Sequence, residues 1–326
     1  MQGKVIKNKY SEREAADFTR PLLLTPAEDM KGFLTEKISR ASLFTVTCVS
    51  VLAVLLILIF VLKEGLVFLK SDEAKRFLTS TEWTPTHEAN PVYGALSLIV
   101  GSVYVTVTSM LIAAPVGVLA AVYLSDIAPF KLRQVAKPVI ELLAAIPSVA
   151  YGFFAVLVLA PLLQNKFGMV TGTNALNASL ILAVMALPTI ISITEDSLSA
   201  IRREIREASY ALGSTRAETM IKIVIPAAHS GIIAAVILGT MRAIGETMVV
   251  WMASGNATQI PSPWWDITSS VRTMTATIAG EMGEAVKGSL HYQSLFAVGG
   301  VLLVSTFVMN LASEYFMSRV RKGGKG

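Results

Sequence analysis

The chain has 326 residues, of which 53% are apolar and only 16% are charged, and its mean hydropathy is +0.59. A soluble protein of ordinary composition is about 25% charged. The composition therefore excludes a soluble globular enzyme and a disordered chain, and the single cysteine, Cys48, excludes a disulfide scaffold. We expect the net charge of +5 to reflect basic residues held on one side of a lipid membrane, with no nucleic acid as a partner.

Six segments are long and apolar enough to cross a bilayer, whose core of about 30 Å needs roughly 20 helical residues. Five of them overlap runs of at least 22 residues without a charged side chain, and the other contains Arg242 and Glu246. In chain order the predicted spans are Ala41–Leu62, Leu98–Leu124, Val139–Leu163, Ala175–Thr194, His229–Ser254 and Gln293–Ala312. These runs lack the alternation of a membrane β-barrel, so the predicted fold class is an all-α integral membrane protein.

The distribution of lysine and arginine predicts the orientation. Segments on the side of the two termini contain 20 of these residues, and segments on the opposite side contain 7. Because basic residues mark the cytoplasmic side, both termini are predicted to be cytoplasmic. The predicted organisation is a cytoplasmic segment 1–40, an additional first span with an external loop 41–93, a five-helix transmembrane domain 94–312 and a cytoplasmic basic tail 313–326.

Three tryptophans, Trp83, Trp264 and Trp265, lie in the predicted external loops. Tryptophan at a membrane–water boundary is commonly an anchor, so we interpret them as anchors. The alternative is that the external loops 63–93 and 255–292 form docking surfaces for a partner outside the membrane.

Motifs for enzymatic chemistry are missing from the sequence. No Gly-x-x-x-x-Gly-Lys-Ser/Thr loop is present, so the chain is not expected to hydrolyse ATP itself. The three histidines form no His-x-x-x-His pair, and no Gly-x-Ser-x-Gly elbow occurs. We therefore expect neither an enzyme nor a metal site, and no cofactor.

The predicted cytoplasmic loop 195–228 carries the most specific pattern. It contains Glu207-Ala208-Ser209, then Gly213 six positions after the glutamate, then nine residues, then Ile223-Val224-Ile225-Pro226. The simple interpretation is a surface helix that ends near Gly213 and leads into the next span.

This spacing resembles the Glu-Ala-Ala loop of ABC importer permeases, with Ser209 and Ile225 as small departures from the family pattern. The resemblance implies the type I ABC importer permease fold and a coupling helix that sits in a groove of an ATP-binding subunit. Residues Glu207, Ala208, Ser209, Gly213, Ile223 and Pro226 would then couple the chain to that subunit. Two ATP-binding subunits need two such loops, so a second permease subunit is also expected.

Arg242 and Glu246 interrupt the apolar pattern of the span His229–Ser254. A charge at mid-bilayer costs about 2.5–3.5 kcal/mol, so such residues normally face protein or water. The i, i+4 spacing predicts both on one helix face, with Arg242 about midway along the span. They could form an ion pair that only neutralises both charges. Alternatively, Arg242 lines a pathway and binds an anion, Glu246 holds Arg242 when the anion is absent, and Gly245 permits close approach.

The string Arg242-Ala243-Ile244-Gly245-Glu246-Thr247-Met248 resembles the C-type permeases of phosphate-specific ABC importers, as do Ile146-Pro147-Ser148-Val149-Ala150-Tyr151-Gly152 and the added first span. The resemblance implies inward movement of inorganic phosphate across a bacterial or archaeal cytoplasmic membrane. It also implies a second, A-type phosphate permease, two ATP-binding subunits and an external phosphate-binding protein as partners.

Three alternatives to phosphate import remain at this stage. Permeases for sulfate or molybdate contain a similar Arg-Ala-x-Gly-Glu string and differ after it. An ion-coupled secondary transporter could also contain an intramembrane Arg/Glu pair, although such proteins usually show internal repeats. A membrane anchor or sensor would need no transport pathway at all.

Overall fold

The computed structural model describes residues 26–87 and 90–323, and the side chains of 26–36, 312–313 and 316–323 are not considered. Most of this part of the chain is helical. The α-helices are α1 Pro26–Leu69, α2 Leu96–Val122, α3 Phe130–Ala145, α4 Ser148–Phe154, α5 Ala160–Phe167, α6 Ala175–Ser199, α7 Arg203–Ala211, α8 Arg216–Thr219, α9 Ile225–Ile244, α10 Met248–Ala253, α11 Met274–Glu281 and α12 Leu290–Gly323. Two short strands, β1 Trp83–Thr84 and β2 Val92–Tyr93, pair antiparallel.

Within the described residues, six helical segments have the length and apolar composition to cross a membrane, which confirms the predicted number of spans. They are Lys37–Leu69, Leu96–Ile127, Ser148–Phe167, Ala175–Ser199, Arg216–Ile244 and Leu290–Leu311. Three of these segments contain a stretch of wider, π-helical winding, at Tyr123–Ile127, Ala155–Leu159 and Met220–Val224. A 3-10 turn, Asp72–Arg76, follows the first segment.

The chain divides into two compact units, Met1–Phe60 and Val61–Gly326. In the first unit the described residues belong to α1, and its apolar side chains from Leu43 to Phe60 are mostly exposed. A helix that is apolar on all sides is typical of a segment surrounded by lipid or by other membrane helices. The segment 1–25, which belongs to the predicted cytoplasmic N-terminus, lies outside the described residues.

The core of the second unit is formed by α2, α6 and α9. Small residues let their backbones approach closely, as is usual between membrane helices. A Cβ atom on Gly117 of α2 would lie 2.7 Å from the Ile190 side chain of α6, and one on Gly239 of α9 would lie 2.8 Å from the same side chain. Ile190 is fully buried. It therefore fills the space that two glycines leave, and this contact fixes the three helices that carry the candidate site.

The predicted external loop after α1 forms part of a second apolar cluster. Phe68, Phe77 and Tyr93 pack edge to face, and the cluster continues into α11 and α12 through Met274 and Leu295. These residues are almost fully buried, so the loop is an ordered part of the second unit.

Trp83 is 3% exposed, which makes its interpretation as an anchor at the membrane boundary wrong. Its Nε1 donates to both carboxylate oxygens of Glu281, at 3.1 and 3.0 Å. The same carboxylate pairs with Arg272 Nη2 at 2.9 Å and lies 2.8 Å from His291 Nε2. Trp264 and Trp265, in contrast, are 74% and 64% exposed. The sequence places all three tryptophans in polar loops. It gives no sign that Glu281, which is distant along the chain, binds Trp83 and keeps it buried.

The third predicted span, Val139–Leu163, is wrong as a single helix. The chain breaks at Ile146, whose backbone is extended (φ −65°, ψ 129°) because a residue before proline is disfavoured in the helical region. Helix α3 precedes the break and is amphipathic, with Glu141 in the part that the prediction placed in the membrane. The apolar helical segment begins only at Ser148 and runs to Phe167.

A close contact between α2 and the segment before α11 predicts a large packing effect. A Cβ atom on Gly101 would lie 2.2 Å from the carbonyl oxygen of Arg272. We expect Gly101→Ala to lower the free energy of unfolding by about 1–3 kcal/mol, because a backbone atom cannot move aside. Thermal unfolding of the purified protein in detergent, followed by tryptophan fluorescence, measures this. Gly300→Ala is the control, since a Cβ atom there meets nothing within 4 Å, and equal melting temperatures of the two variants would contradict the prediction.

Candidate functional site: a polar pathway and a cytoplasmic loop

The loop 195–228, which the sequence predicts to be cytoplasmic, contains a short helix with a defined end, as its sequence also predicts. Helix α7 ends at Ala211, and Gly213 follows in the left-handed region with φ +86°. The N–H of Gly213 donates to Tyr210 O at 3.0 Å, and the N–H of Ser214 donates to Ser209 O at 3.2 Å. This pair of bonds is a Schellman motif, which satisfies the carbonyl groups at a helix C-terminus and favours glycine at the left-handed position.

The chain then enters the next span through a second capped turn. Thr215 precedes α8 and accepts the N–H of Glu218, whose side chain accepts the N–H of Thr215. This reciprocal capping box fixes the direction of the turn. The π-helical segment Met220–Val224 continues directly into α9. The loop and the span that contains Arg242 are thus joined by continuous helical backbone from Arg216 onward.

The predicted coupling residues fall into three places. Glu207 and Ala208 are exposed on α7, whereas Ser209 is 2% exposed and its hydroxyl lies 2.8 Å from that of Thr219. Ile223 is half-buried in the π-helical segment, and Pro226 is exposed in the first turn of α9. The structure therefore does not gather all six residues on one surface.

Three apolar side chains on or directly after α7 are exposed. Leu212 is 88% exposed, Tyr210 44% and Ile205 41%. Ile205, Ala208 and Leu212 follow helical spacing and lie on one side of the helix, and we call these three residues the α7 face. An amphipathic helix that presents a few apolar anchors is suited to a hydrophobic groove on another protein.

The structure corrects the expected helical geometry of Arg242 and Glu246. Helix α9 ends at Ile244, so Arg242 lies in its last turn rather than at mid-span, and Glu246 lies between α9 and α10. Glycine at 245 and the β-branched Thr247 weaken the helix at this point. The Thr275 hydroxyl also binds Glu246 O at 2.8 Å, which satisfies a carbonyl outside the helix.

The described ion pairs do not include one between Arg242 and Glu246. Instead, Arg242 Nη1 donates to Thr189 Oγ1 of α6 at 3.2 Å. Both charged residues are half-buried, and Gly245 is exposed. The geometry therefore does not support an ion pair that only neutralises both charges. The guanidinium keeps N–H donors that a ligand could use.

Arg242 and Glu246 do line one small open recess, which Leu182, Met185 and Ala186 of α6 complete. Glu246 also lines a neighbouring recess that contains several hydroxyl groups. The hydroxyl-bearing residues of that recess are Ser102, Thr106, Thr273 and Thr275. The two recesses share Glu246, so a cation, an acid and several hydroxyl groups lie near one another among helices that are otherwise apolar, and such groups can bind and release an oxyanion.

Sequence reasoning missed a charged cluster at the end of α6. Glu195 is 4% exposed and accepts Lys137 Nζ of α3 at 2.8 Å, and it pairs with Arg133 as well. Asp196 lies 3.2 Å from the same lysine nitrogen. The hydrogen bond to Glu195 raises the pKa of the Lys137 ammonium above its ordinary value, outweighing the burial that lowers it. The available signal was the pair of basic residues facing one way on the amphipathic α3.

No group of three histidine, cysteine, aspartate or glutamate side chains within residues 26–87 and 90–323 is arranged to hold a metal ion. The polar site is therefore described by its arginine, its acid and its hydroxyls alone.

Comparison with known proteins places these features in a family. Residues 113–322 match the family described as "Binding-protein-dependent transport system inner membrane component". The chain is 42% identical to the probable ABC transporter permease protein YqgH of Bacillus subtilis over 74% of this chain and 77% of that protein. It is 37% identical to the phosphate transport system permease protein PstC of Mesorhizobium japonicum, over 75% and 78%. It is 30% identical to PstC of Haemophilus influenzae, over 86% and 94%.

Solved structures share the fold at low sequence identity. A bacterial ABC transporter involved in the import of alginate matches with a TM-score of 0.59 and 14% identity, over 88% of this chain and 98% of that chain. An inward-facing MetNI methionine ABC transporter matches with a TM-score of 0.54 and 17% identity, over 68% and 93%. These similarities confirm the type I ABC importer permease fold. The chain belongs to the family of binding-protein-dependent transport system inner membrane components.

Proposed function

We propose that this chain is a permease subunit of an ATP-binding-cassette importer that moves inorganic phosphate into the cell. The observation that carries the proposal is Arg242, a permanent cation at the end of α9 that lines a recess and keeps donors free of Glu246. A guanidinium presents a fork of N–H donors suited to phosphate oxygens. The relatives named as phosphate transport permeases support phosphate as the anion.

Partner subunits supply the energy in this proposal. The α7 face docks on an ATP-binding subunit, and Glu207, Ala208 and Gly213 form or shape that contact. Two ATP-binding subunits need two coupling loops, so a second permease, of the A type, completes the membrane part. A phosphate-binding protein delivers the anion from outside. The chain itself provides the pathway and does not hydrolyse ATP.

The proposed setting is a bacterial or archaeal cytoplasmic membrane with both termini in the cytoplasm. The distribution of lysine and arginine supports this orientation, because 20 of these residues fall on the side of the termini. The loop with α7 lies on that same side, where ATP is available. The five membrane spans of residues 94–312 form the transport domain, and residues 41–93 are an addition to it.

Reconstitution of the complete complex in proteoliposomes tests this function. Phosphate-loaded binding protein should stimulate ATP hydrolysis and the uptake of radioactive phosphate into the vesicles. Sulfate and molybdate, offered with their own binding proteins and as competitors, test the nearest alternative. Stimulation by sulfate or molybdate with none by phosphate would overturn the proposal, and uptake that persists without ATP-binding subunits would indicate a secondary transporter.

Thr189 provides a prediction within the pathway, because it is the residue that Arg242 bonds. Thr189→Val keeps the side-chain shape and removes the hydroxyl, so the guanidinium loses a partner that orients it. We expect phosphate uptake to fall about fivefold, which corresponds to one hydrogen bond of about 1 kcal/mol. Thr189→Ser keeps the hydroxyl and is the control. Uptake by Thr189→Val at the rate of Thr189→Ser would show that this bond is irrelevant to transport.

A further inference from the structure

We infer that the ion pair between Arg206 and Asp126 is the link through which the loop that contains α7 moves α2 and α6. Arg206 is on α7, and Asp126 is in the π-helical segment that ends α2. Both act as positioning residues, since neither touches the proposed pathway. The inference rests on the proposed function, because it specifies how the docking of an ATP-binding subunit is coupled to transport.

The guanidinium of Arg206 connects two helices at once. Nη1 pairs with Asp126, and Nη2 donates to the carbonyl oxygen of Leu198, in the last turns of α6, at 2.7 Å. The side chains of Arg206 and Asp126 are only 17% and 18% exposed. A largely desolvated guanidinium that is held by two partners keeps its geometry better than a solvated surface pair. Displacement of α7 is thus passed directly to the cytoplasmic ends of α2 and α6.

Other polar contacts of α7 do not reach α2 or α6. Among the described residues, its remaining side-chain hydrogen bond to another element is the Ser209–Thr219 hydroxyl pair, and Thr219 of α8 lies at the start of the span Arg216–Ile244. Arg202 and Glu204 pair with each other at the start of α7, with side chains 76% and 72% exposed. That pair provides a matched control, because it is an ion pair in the same loop without a connection to α2 or α6.

The segment Tyr123–Ile127 also receives a contact from a third helix. Arg133 Nη1 of α3 donates to Ser125 O at 3.4 Å, next to Asp126. Oδ2 of Asp126 is buried and has no hydrogen-bond partner among the described residues. Wider π-helical winding often occurs at functional positions in helices. One short segment therefore joins the coupling helix to α2, α3 and α6, which is the arrangement that a mechanical link requires.

The test is the number of phosphate ions taken up per ATP hydrolysed by the complete complex in proteoliposomes. We expect Asp126→Asn and Arg206→Gln each to lower this ratio at least about fivefold, the effect of losing a charge-assisted hydrogen bond. The ATP-binding subunits should still co-purify, because the α7 face is unchanged. Arg206→Lys, which keeps the charge and loses the fork, should lower the ratio about two- to threefold.

A charge exchange distinguishes a link from a merely structural contact. The double variant Asp126→Arg/Arg206→Asp should raise the ratio above that of either single variant, because it rebuilds the ion pair although not the bond to Leu198 O. Arg202→Gln, the control, should leave the ratio unchanged. Unchanged ratios in Asp126→Asn and Arg206→Gln would overturn the inference, and so would a double variant as poor as the single ones. If the complex moves sulfate instead, the same ratio is measured for sulfate, so the inference and the proposed function fail separately.

Discussion

A complex that contains Arg242→Ala is expected to lose at least nine-tenths of its phosphate uptake. A hydrogen bond to a charged group contributes about 1.5–3 kcal/mol, which is a factor of roughly 10 to 150 in rate when the bond forms in the transition state for passage. The variant should still insert, because removing an arginine lowers the cost of placing this helix in a membrane. Uptake of radioactive phosphate and ATPase activity are measured on the same proteoliposomes, and the basal ATPase activity should remain.

Arg242→Lys is the informative control for this position. It keeps the positive charge and loses the fork, so it separates electrostatic attraction from oriented hydrogen bonding. We expect it to retain more uptake than Arg242→Ala and less than the original chain. Uptake above half of the original level in Arg242→Ala would show that the anion does not depend on this side chain. A complex that fails to assemble would instead show that Arg242 is needed for structure.

Local sequence could predict the spans and the end of α7. Charge-free runs reveal membrane helices because each charged side chain in a bilayer is costly, and the number of spans is confirmed. Gly213 could be placed at a helix end because only a few residue types adopt a left-handed backbone readily, and its φ of +86° agrees. Arg242 stood out because its surroundings are apolar.

Contacts between distant parts of the chain could not be predicted in this way. The break at Ile146 falls inside a long apolar run, so hydropathy gives no sign of it. The spacing between Arg242 and Glu246 predicted that both residues lie on one helix. In the structure Glu246 lies outside α9, and its carbonyl oxygen accepts a hydrogen bond from the Thr275 hydroxyl. Glu195 was taken as the first residue of a loop, and it is buried because Arg133 and Lys137 arrive from another helix.

Helix α9 connects the two regions of the proposed site. It begins at Ile225, directly after the π-helical segment Met220–Val224, and ends at Ile244, with Arg242 in its last turn. Its 20 residues span about 30 Å at a rise of 1.5 Å per residue. An α-helix of this length transmits displacement along its axis because its backbone hydrogen bonds resist compression. A shift of the loop on ATP binding would therefore move Arg242 relative to Thr189 of α6 and change the recess that Arg242 lines.

Gly213→Pro is expected to separate ATP hydrolysis from transport. Proline fixes φ near −65°, whereas the chain needs +86° here, and it removes the N–H that Gly213 donates to Tyr210 O. The end of α7 must then rearrange, and Leu212 on the α7 face moves with it. We expect phosphate uptake to fall more than about tenfold, with ATP hydrolysis no longer stimulated by the loaded binding protein, because misplacing a contact that couples two sites by 1–3 kcal/mol removes that coupling.

Two further variants show whether the backbone conformation at Gly213 is the cause. Gly213→Asn should keep most of the coupling, because asparagine adopts the left-handed region more readily than other side chains and a Cβ atom there meets nothing within 4 Å. Gly168 ends α5 with φ +66° and equally open surroundings. Gly168→Pro therefore disturbs a similar helix end far along the chain from α7. Normal transport by Gly213→Pro, or an equal loss in Gly168→Pro, would refute the assignment of α7 as the coupling helix.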